Sequence, residues 1–352
     1  MEEKSGNRIE YIDALRGFTM ILVVYHHIAF WCMDNIELGY NEFFAKIHMP
    51  AFFFISGWLF YDQNRLWNKE IIGGIIKKKF VLLIIPFLFF MPLYMYLFRG
   101  PDYHTSFEMK FGFWFVFSLF QYFVIYIGIE ALFNKHHSNK RELGIMFFML
   151  VLSIIAFYYE QMRYNLNLGI WRKVLALFSF LNLKYIIFFW LGTIVKKNFD
   201  AFVRITNNQY VLAVCLAIFF LIAVHSKPIF LSNNEIRLIS YILSGTTGII
   251  LVFTFFRKYE VFFSRNNRLG RGLQFIGRRT LDIYLLHYFV LPYHMHPLGT
   301  WLTEHHYKPI ALFIMLVIAL WVIAISLLIS YIIRLSPFLG HYLLGAKTNS
   351  TK

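Results

Sequence analysis

The chain has 352 residues, of which 59% are hydrophobic and 15% are charged. A typical soluble domain has about 25% charged residues, so the composition excludes an ordinary soluble globule and indicates an integral membrane protein. The 34 Lys and Arg residues outnumber the 19 Asp and Glu residues and give a net charge of +15. Such an excess can reflect nucleic-acid binding, contact with anionic lipid or the charged loops of a membrane protein.

The apolar residues form continuous runs of the length that a membrane-spanning helix requires, about 20 residues. These runs lie near 11–33, 43–61, 79–98, 111–133, 143–159, 174–195, 209–225, 236–256, 275–297 and 309–334. Continuous rather than alternating runs favour helices over a β-barrel. We therefore predict an all-α fold, a polytopic transmembrane helix bundle of about ten spans. The first run contains Asp13 and Arg16 and no cleavage site follows it, so we expect a span and not a signal peptide.

The positions of Lys and Arg between the runs predict the orientation of the chain. Most of them lie in the segments that share a side with the N-terminus, including the dense group between 257 and 279. Both termini are therefore predicted to be cytoplasmic, and topology explains the basic excess without nucleic acid. No segment between the runs is long enough for a soluble catalytic domain. We expect a single membrane-embedded domain over 1–352, with no appended soluble domain.

Asp13 and Arg16 are ionisable residues inside the first predicted span, where a charge costs several kcal/mol unless it is paired or hydrated. Their spacing of three residues allows the two side chains to pair on one helix face. His27 follows Arg16 by eleven residues, about 20° from a whole number of helical turns. Arg16 and His27 thus share a face roughly 16 Å apart, whereas His26 points about 80° away. The alternative is a snorkelling arginine and a histidine hydrogen-bonded within the bundle.

The second predicted span places His48 at the same expected depth as His27. Ser56 and Gly57 offer a point of close approach for another backbone, a feature typical of small-residue helix packing. A rhomboid-type serine protease would need a Gly-x-Ser nucleophile motif, which the residues before Ser56 do not form.

Several stretches carry a family resemblance. They are Tyr-Ile-Asp-Ala-Leu-Arg-Gly (11–17) with His27, Phe-Phe-Phe-Ile-Ser-Gly-Trp-Leu (52–59), Trp114 with Phe115, and Arg-Thr-Leu-Asp-Ile-Tyr-Leu-Leu-His (279–287). Together they resemble the acyltransferase 3 family of integral membrane O-acyltransferases, from the first predicted span to the ninth. The spacing of an Arg, ten residues and a His is the most specific motif. His-Met-Pro (48–50) is most similar to the branch of the fucose 4-O-acetylases, although many family members have Gly-x-Asp there.

The resemblance implies transfer of an acyl group, usually acetyl from acetyl-CoA, to a hydroxyl of a surface polysaccharide or a lipid-linked glycan. It implies acyl-CoA as co-substrate, with no metal and no bound cofactor, and a multi-pass location in the inner or plasma membrane. The partners would be membrane lipid, acyl-CoA and the glycan acceptor. The resemblance does not specify the oligomeric state of the protein. The candidate catalytic residues are His27, Arg16 and Asp13. A neutral His27 imidazole can take the acceptor hydroxyl proton or accept the acyl group itself, and both routes stay open.

Further residues are candidates for binding. The candidates for substrate contacts are His48, Ser56, Trp114 and His287. The alternatives are a helix-packing histidine at His287 and an interfacial or core aromatic residue at Trp114. Cytoplasmic basic residues can bind the phosphates of CoA, and the candidates are Lys77, Lys78, Lys79, Arg278 and Arg279. Their alternative role is to fix the topology, and Asp282 is expected to pair with Arg278 or Arg279.

Other functions are compatible with parts of the pattern. A transporter or exporter of polysaccharide or lipid-linked sugar also uses intramembrane Arg and His residues, but acyl transfer uses the shared face of Arg16 and His27 directly. A haem or metal protein would need His27 and His48 to face each other across spans. The outer loop holds residues of the types that bind Zn or Cu. The simpler interpretation is that they are solvated side chains. They are His294, His296, Glu304, His305 and His306. Cys32 and Cys215 lie in separate apolar runs and form no disulfide framework or metal pair.

Overall fold

A computed structural model describes residues 9–33, 40–65, 67–98, 110–133, 139–163, 165–224, 233–305 and 308–346. The predicted all-α fold is confirmed, because these ranges are helical and hold no strand. The helices are α1 (Glu10–His27), α2 (Tyr40–Phe60), α3 (Lys69–Lys79), α4 (Ile85–Phe98), α5 (Trp114–Phe133), α6 (Asn139–Met162), α7 (Ile170–Leu177), α8 (Ile186–Lys197), α9 (Phe199–Asn207), α10 (Gln209–Val224), α11 (Asn234–Lys258), α12 (Arg268–Arg278), α13 (Thr280–Leu286), α14 (His296–Glu304), α15 (Lys308–Arg334) and α16 (Pro337–Leu344). Two π-helical turns (Ile28–Cys32 and Phe80–Ile84) and three 3-10 segments (Lys110–Gly112, Phe180–Tyr185 and His287–Phe289) join them.

Within the described ranges, 7 helices are long and apolar enough to cross a membrane, and two bent helix pairs raise the number to 9. The bent pairs are Ile170–Leu177 with Phe180–Lys197, at 48°, and Phe199–Asn207 with Gln209–Ala223, at 83°. The predicted run near 275–297 differs from the others, because it is divided among the end of α12, α13 and a 3-10 segment. The division begins at Arg279, whose φ of −115° and ψ of 19° are not helical, and Pro292, which has no backbone N–H, follows the 3-10 segment.

The chain divides into two compact units. The first contains Met1–Ile55 and Asn198–Leu327, and the second contains Ser56–Lys197 and Leu328–Lys352. The expectation of a single domain over 1–352 stays a prediction.

In the first unit, α1 and α12 approach each other backbone to backbone. Gly17 of α1 faces the main chain of Leu273 and Gly277, and Gly277 of α12 faces the main chain of Asp13. A Cβ atom at either glycine would collide with a carbonyl oxygen of the other helix, so the contact requires glycine on both sides. Because α13 follows α12 after one residue, this contact also fixes the start of α13.

In the second unit, side chains of neighbouring elements donate hydrogen bonds to carbonyl oxygens around the bend between α7 and α8. The donors are Lys110 Nζ to Ala176 (2.8 Å), Gln121 Nε2 to Phe178 (2.6 Å), Tyr122 Oη to Asn182 and Ser153 Oγ to Lys184. Irregular backbone is tolerated at membrane depth only where such partners satisfy it. Burial lowers the pKa of the Lys110 ammonium to about 8.

The π-helical turns widen the first and third spans. The turn Phe80–Ile84 directly precedes Ile85 and Pro86, and the proline ring, which clashes with a carbonyl four residues back, is relieved by a wider turn. The turn Ile28–Cys32 follows His27 directly and contains no proline. Turns of this kind occur frequently at functional sites.

Candidate active site

His27 and His287 form the central hydrogen bond of the candidate site. His27 Nδ1 and His287 Nε2 are 2.8 Å apart, and the two rings are almost parallel at 7°. His27 is the last residue of α1 and is half-buried, whereas His287 follows α13 and is fully buried. Both lie in the first unit. The structure thus joins a predicted catalytic residue to a predicted substrate-binding residue.

The partners of the two rings determine their tautomers. His287 Nδ1 lies 2.9 Å from the carbonyl oxygen of Ile283, and because a carbonyl only accepts, Nδ1 must donate. In a neutral His287, Nε2 is then an acceptor, so His27 Nδ1 must donate to it. The remaining nitrogen, His27 Nε2, carries a lone pair, and no described residue donates a hydrogen bond to it. The chain of two histidines therefore presents one basic nitrogen.

Aromatic rings surround the His27 imidazole. Trp31, on the π-helical turn, lies 5.5 Å from it at an interplanar angle of 26°, and Tyr288 lies 5.1 Å from it. Tyr293 donates its hydroxyl proton to the carbonyl oxygen of Tyr288 at 3.0 Å, which fixes this wall from behind. Apolar walls with a few convergent polar groups are typical of small-molecule sites.

Arg16 contacts the start of α13, and His27 contacts the residue that follows its end. Its Nη2 donates to Thr280 Oγ1 at 2.8 Å, and its Nη1 lies 3.7 Å from Asp13 Oδ1. The predicted pairing of Asp13 with Arg16 is confirmed, and so is the shared face of Arg16 and His27. Thr280 begins α13 and His287 follows its end, so α1 holds this helix at both ends.

His48 lies beside His26, which is not the neighbour that the sequence indicated. The His26 and His48 rings are 4.9 Å apart, and His48 Nδ1 donates to the carbonyl oxygen of Phe44 at 2.8 Å. His48 is buried, with 5% of its surface exposed. The ring that hydrogen-bonds His27 is that of His287, so adjacent histidines of α1 serve different neighbours, as their helical phase predicts.

Arg278 and Arg279, which precede α13, lie in different environments. Arg279 Nη1 lies 3.3 Å from Asp282 Oδ2, which confirms the predicted pairing of Asp282 with one of these arginines. Asp282 is buried, whereas Arg278, at the end of α12, is exposed. Arg278 is therefore accessible to a phosphate, and Arg279 is already bound to a carboxylate.

The other candidates belong to the second unit. Gly57 faces the main chain of Phe189, which confirms the close approach predicted at Ser56 and Gly57, and Ser56 is half-buried. Trp114 stacks on Tyr185, with ring centroids 5.5 Å apart. These contacts leave the substrate-binding roles of Ser56 and Trp114 as predictions.

The three lysines before the third span also differ from one another. Lys77 and Lys78 are exposed on α3. Lys79 Nζ instead lies 3.8 Å from the centre of the Phe123 ring and 5.1 Å from that of Phe60. Of the three, Lys79 is the one directed toward the protein interior.

No group of three or more potential ligands among the described residues can hold a metal ion. Within the outer loop, His305 Nδ1 donates to the carbonyl oxygen of Trp301 at 2.9 Å, and His306 lies outside the described residues. His27 and His48 are also not arranged to share a metal ion, because His27 Nδ1 is hydrogen-bonded to His287.

Sequence reasoning missed two participants of the site. Thr280, the partner of Arg16, lies within the quoted stretch 279–287, and its position directly after two arginines was the available signal. Trp31 lies four residues after His27, a spacing that places two side chains together on a helix.

A family model described as an acyltransferase domain matches residues 9–335, which is nearly the whole chain and includes both units. No curated protein and no solved structure matches the chain.

Proposed function

Because the chain belongs to the acyltransferase 3 family and is a membrane acyltransferase, we propose that it transfers an acetyl group from acetyl-CoA to a hydroxyl of a cell-surface polysaccharide or a lipid-linked glycan. The family match favours this over the transporter alternative. The protein would act in the inner or plasma membrane, with no metal and no bound cofactor. The branch of the fucose 4-O-acetylases is part of the same proposal.

The observation that carries the proposal is the hydrogen bond between His27 Nδ1 and His287 Nε2, at 2.8 Å. It leaves His27 Nε2 as the acceptor of a proton at a half-buried position. A positioned imidazole is the commonest general base in enzymes. Acyl transfer between a thioester and an alcohol requires such a base and no redox chemistry.

In the proposed reaction, His27 both accepts and returns the proton that is transferred. His27 Nε2 takes the proton of the acceptor hydroxyl while the hydroxyl oxygen bonds to the thioester carbon. The carbon–sulfur bond then breaks, the electron pair leaves with the CoA sulfur, and His27 returns the proton to that sulfur. Throughout, His27 Nδ1–H remains bonded to His287, which stabilises the intermediate imidazolium.

His27 Nε2 is also the atom that would attack the thioester if the acyl group passed through the enzyme. Both routes use the same nitrogen and the same tautomer. Arg16 acts at a distance in either case, because it lies about 16 Å from His27 along α1. We assign it, with Asp13, to holding the start of α13 through Thr280.

The test compares the two adjacent histidines of α1. His27→Ala should lower acetyl transfer about 10²- to 10⁴-fold, because it removes the general base, while the protein remains inserted in the membrane. Mass spectrometry of surface glycans should then lose an acetyl-sized increment that cells with the intact gene show.

The matched control is His26→Ala, which removes a ring that contacts His48 and not His287. It should retain most of the activity. Wild-type glycan modification by a well-expressed His27→Ala protein would refute the base, and equal losses that follow expression level at both positions would assign the histidines to packing.

A further inference from the structure

The second unit contains a cavity that neither His27 nor His287 of the first unit lines. It encloses about 630 Å³, including space open to solvent. Its walls come from the segment between α2 and α3 and from the ends of α5, α6 and α8, represented by Arg65, Tyr126, Arg141 and Lys197.

Arg65 lines this cavity and has unused hydrogen-bonding capacity. Its guanidinium lies 4.6 Å from the centre of the Phe60 ring and 5.5 Å from that of Trp67. The nearest carboxylate oxygen, on Asp62, is 3.9 Å away, beyond hydrogen-bond distance. Its Nη1 is buried, and no described residue accepts a hydrogen bond from it. A buried donor of this kind is costly unless a ligand or water completes it.

The charges around the cavity leave a positive excess. Arg141 pairs with Glu130 at 3.3 Å, and Lys197 pairs with Glu142. Arg65 and Asp62 complete a neutral lining. Two further lysines stand on aromatic rings next to it: Lys79 over Phe60, the ring that Arg65 also covers, and Lys196 over Trp58 at 3.9 Å. Beyond this neutral lining, Lys79 and Lys196 are the excess cations, and they favour an anionic ligand.

Aromatic rings supply the second element of recognition. Tyr126 lies 6.1 Å from Trp67 and 5.1 Å from Trp190, and all three line the cavity. Trp67 is only partly buried, so one ring of this cluster is accessible. Nucleotide bases stack on such rings. Stackable rings beside arginine and lysine fit a planar base that carries phosphates.

The basic residues that line the cavity, Arg65, Arg141 and Lys197, lie in segments that the distribution of Lys and Arg predicts to be cytoplasmic. Acyl-CoA is an anionic nucleotide that would reach the protein from this side. Lys79 was a candidate for its phosphates from the sequence alone, and the structure directs it to the ring that it shares with Arg65.

We propose that this cavity binds the nucleotide end of the acyl-CoA donor, with the base against Trp67 and the phosphates at Arg65 and Lys79. This inference rests on the proposed function for the identity of the donor. It assigns binding, and no step of the reaction, to these residues.

The experiment measures binding of adenosine 3′,5′-bisphosphate, the nucleotide fragment of CoA, to the purified full chain. The intact protein should bind it, and Arg65→Gln should weaken it at least tenfold, because a charge-assisted pair with phosphate is lost. Arg65→Gln should leave the weak binding of unphosphorylated adenosine unchanged. Trp67→Ala should weaken both ligands, and Trp67→Phe should restore most of the affinity, which excludes misfolding as the cause. The KM for acetyl-CoA should rise by the same factors while kcat changes little.

The matched control is Lys69→Gln, which removes an exposed cation at the start of α3 that does not line the cavity. This change should leave binding unchanged. Wild-type affinity of Arg65→Gln for the bisphosphate would overturn the assignment. Bisphosphate binding that depends on Arg65 without any acyl transfer would support the site and refute the proposed function. Acetyl transfer by Arg65→Gln with an unchanged KM for acetyl-CoA would support the proposed function and refute the site.

Discussion

The acceptor atom Nε2 of His287 decides which nitrogen of His27 carries a proton. Ile283 accepts from the other nitrogen of His287 at 2.9 Å, so a backbone carbonyl of α13 is the origin of the arrangement. His287 does not touch the reacting atoms in the proposed mechanism and is a positioning residue. Second partners of this kind commonly set the tautomer of a functional histidine.

Replacing His287 with Gln and with Leu separates positioning from packing. The amide oxygen of Gln can accept a hydrogen bond from His27 Nδ1–H, whereas Leu has a similar bulk and no acceptor. We expect His287→Leu to lower kcat about 10²-fold, within the range of general base catalysis, and His287→Gln to stay within tenfold of the wild type. The KM for acetyl-CoA should not change in either. Steady-state kinetics with thermal melting would check this, and equal losses of kcat and stability in both variants would contradict a tautomer role.

At the scale of elements, the site depends on how closely α1 and α12 approach. Gly17 and Gly277 leave room for the main chain of the opposite helix, and α13 continues from α12 after Arg279. A displacement of α12 therefore moves Thr280 away from Arg16 and His287 away from His27. Packing at two glycines is therefore coupled to the geometry of two contacts that position His27 and α13.

We expect Gly277→Ala to force α12 off α1, since its Cβ would collide with the carbonyl oxygen of Asp13. Acyl transfer should fall at least tenfold and the melting temperature should drop. Gly272→Ala is the control on the same helix, because nothing lies within 4 Å of its Cβ position. That change should be neutral or stabilising, by up to about 1 kcal/mol from helix propensity. Comparable activity of the two variants would show that the close approach is not needed.

Periodicity and apolar length predicted the helices but not the breaks between them. The run near 275–297 is predicted as one span, yet its backbone leaves the helical conformation at Arg279, with φ of −115° and ψ of 19°. In the same way, helical phase placed His27 on the face of Arg16 but could not identify His287 as its partner. A hydrogen bond across 260 positions depends on how helices pack, and one sequence carries little information on that.

At the scale of the whole molecule, segments predicted to share the cytoplasmic side also contact one another within each unit. In the first unit, Glu10 Oε1 lies 3.2 Å from Arg265 Nε, and Arg257 Nη2 donates to Asn207 Oδ1 at 2.7 Å. In the second unit, Arg65, Arg141 and Lys197 line one cavity and all lie in segments predicted to be cytoplasmic. These contacts agree with the alternation of the spans, and the absolute orientation rests on the basic residues.

Cysteine labelling of intact cells tests that orientation. Cys32 and Cys215 are buried, so an introduced exposed cysteine will dominate the reaction with a membrane-impermeant maleimide. Asn266→Cys, in the exposed basic segment between α11 and α12, should react only after the membrane is permeabilised. Glu304→Cys, exposed at the end of α14, should react in intact cells. The opposite pattern would reverse the orientation. It would then place the cavity that we propose for the donor on the side that acyl-CoA does not reach.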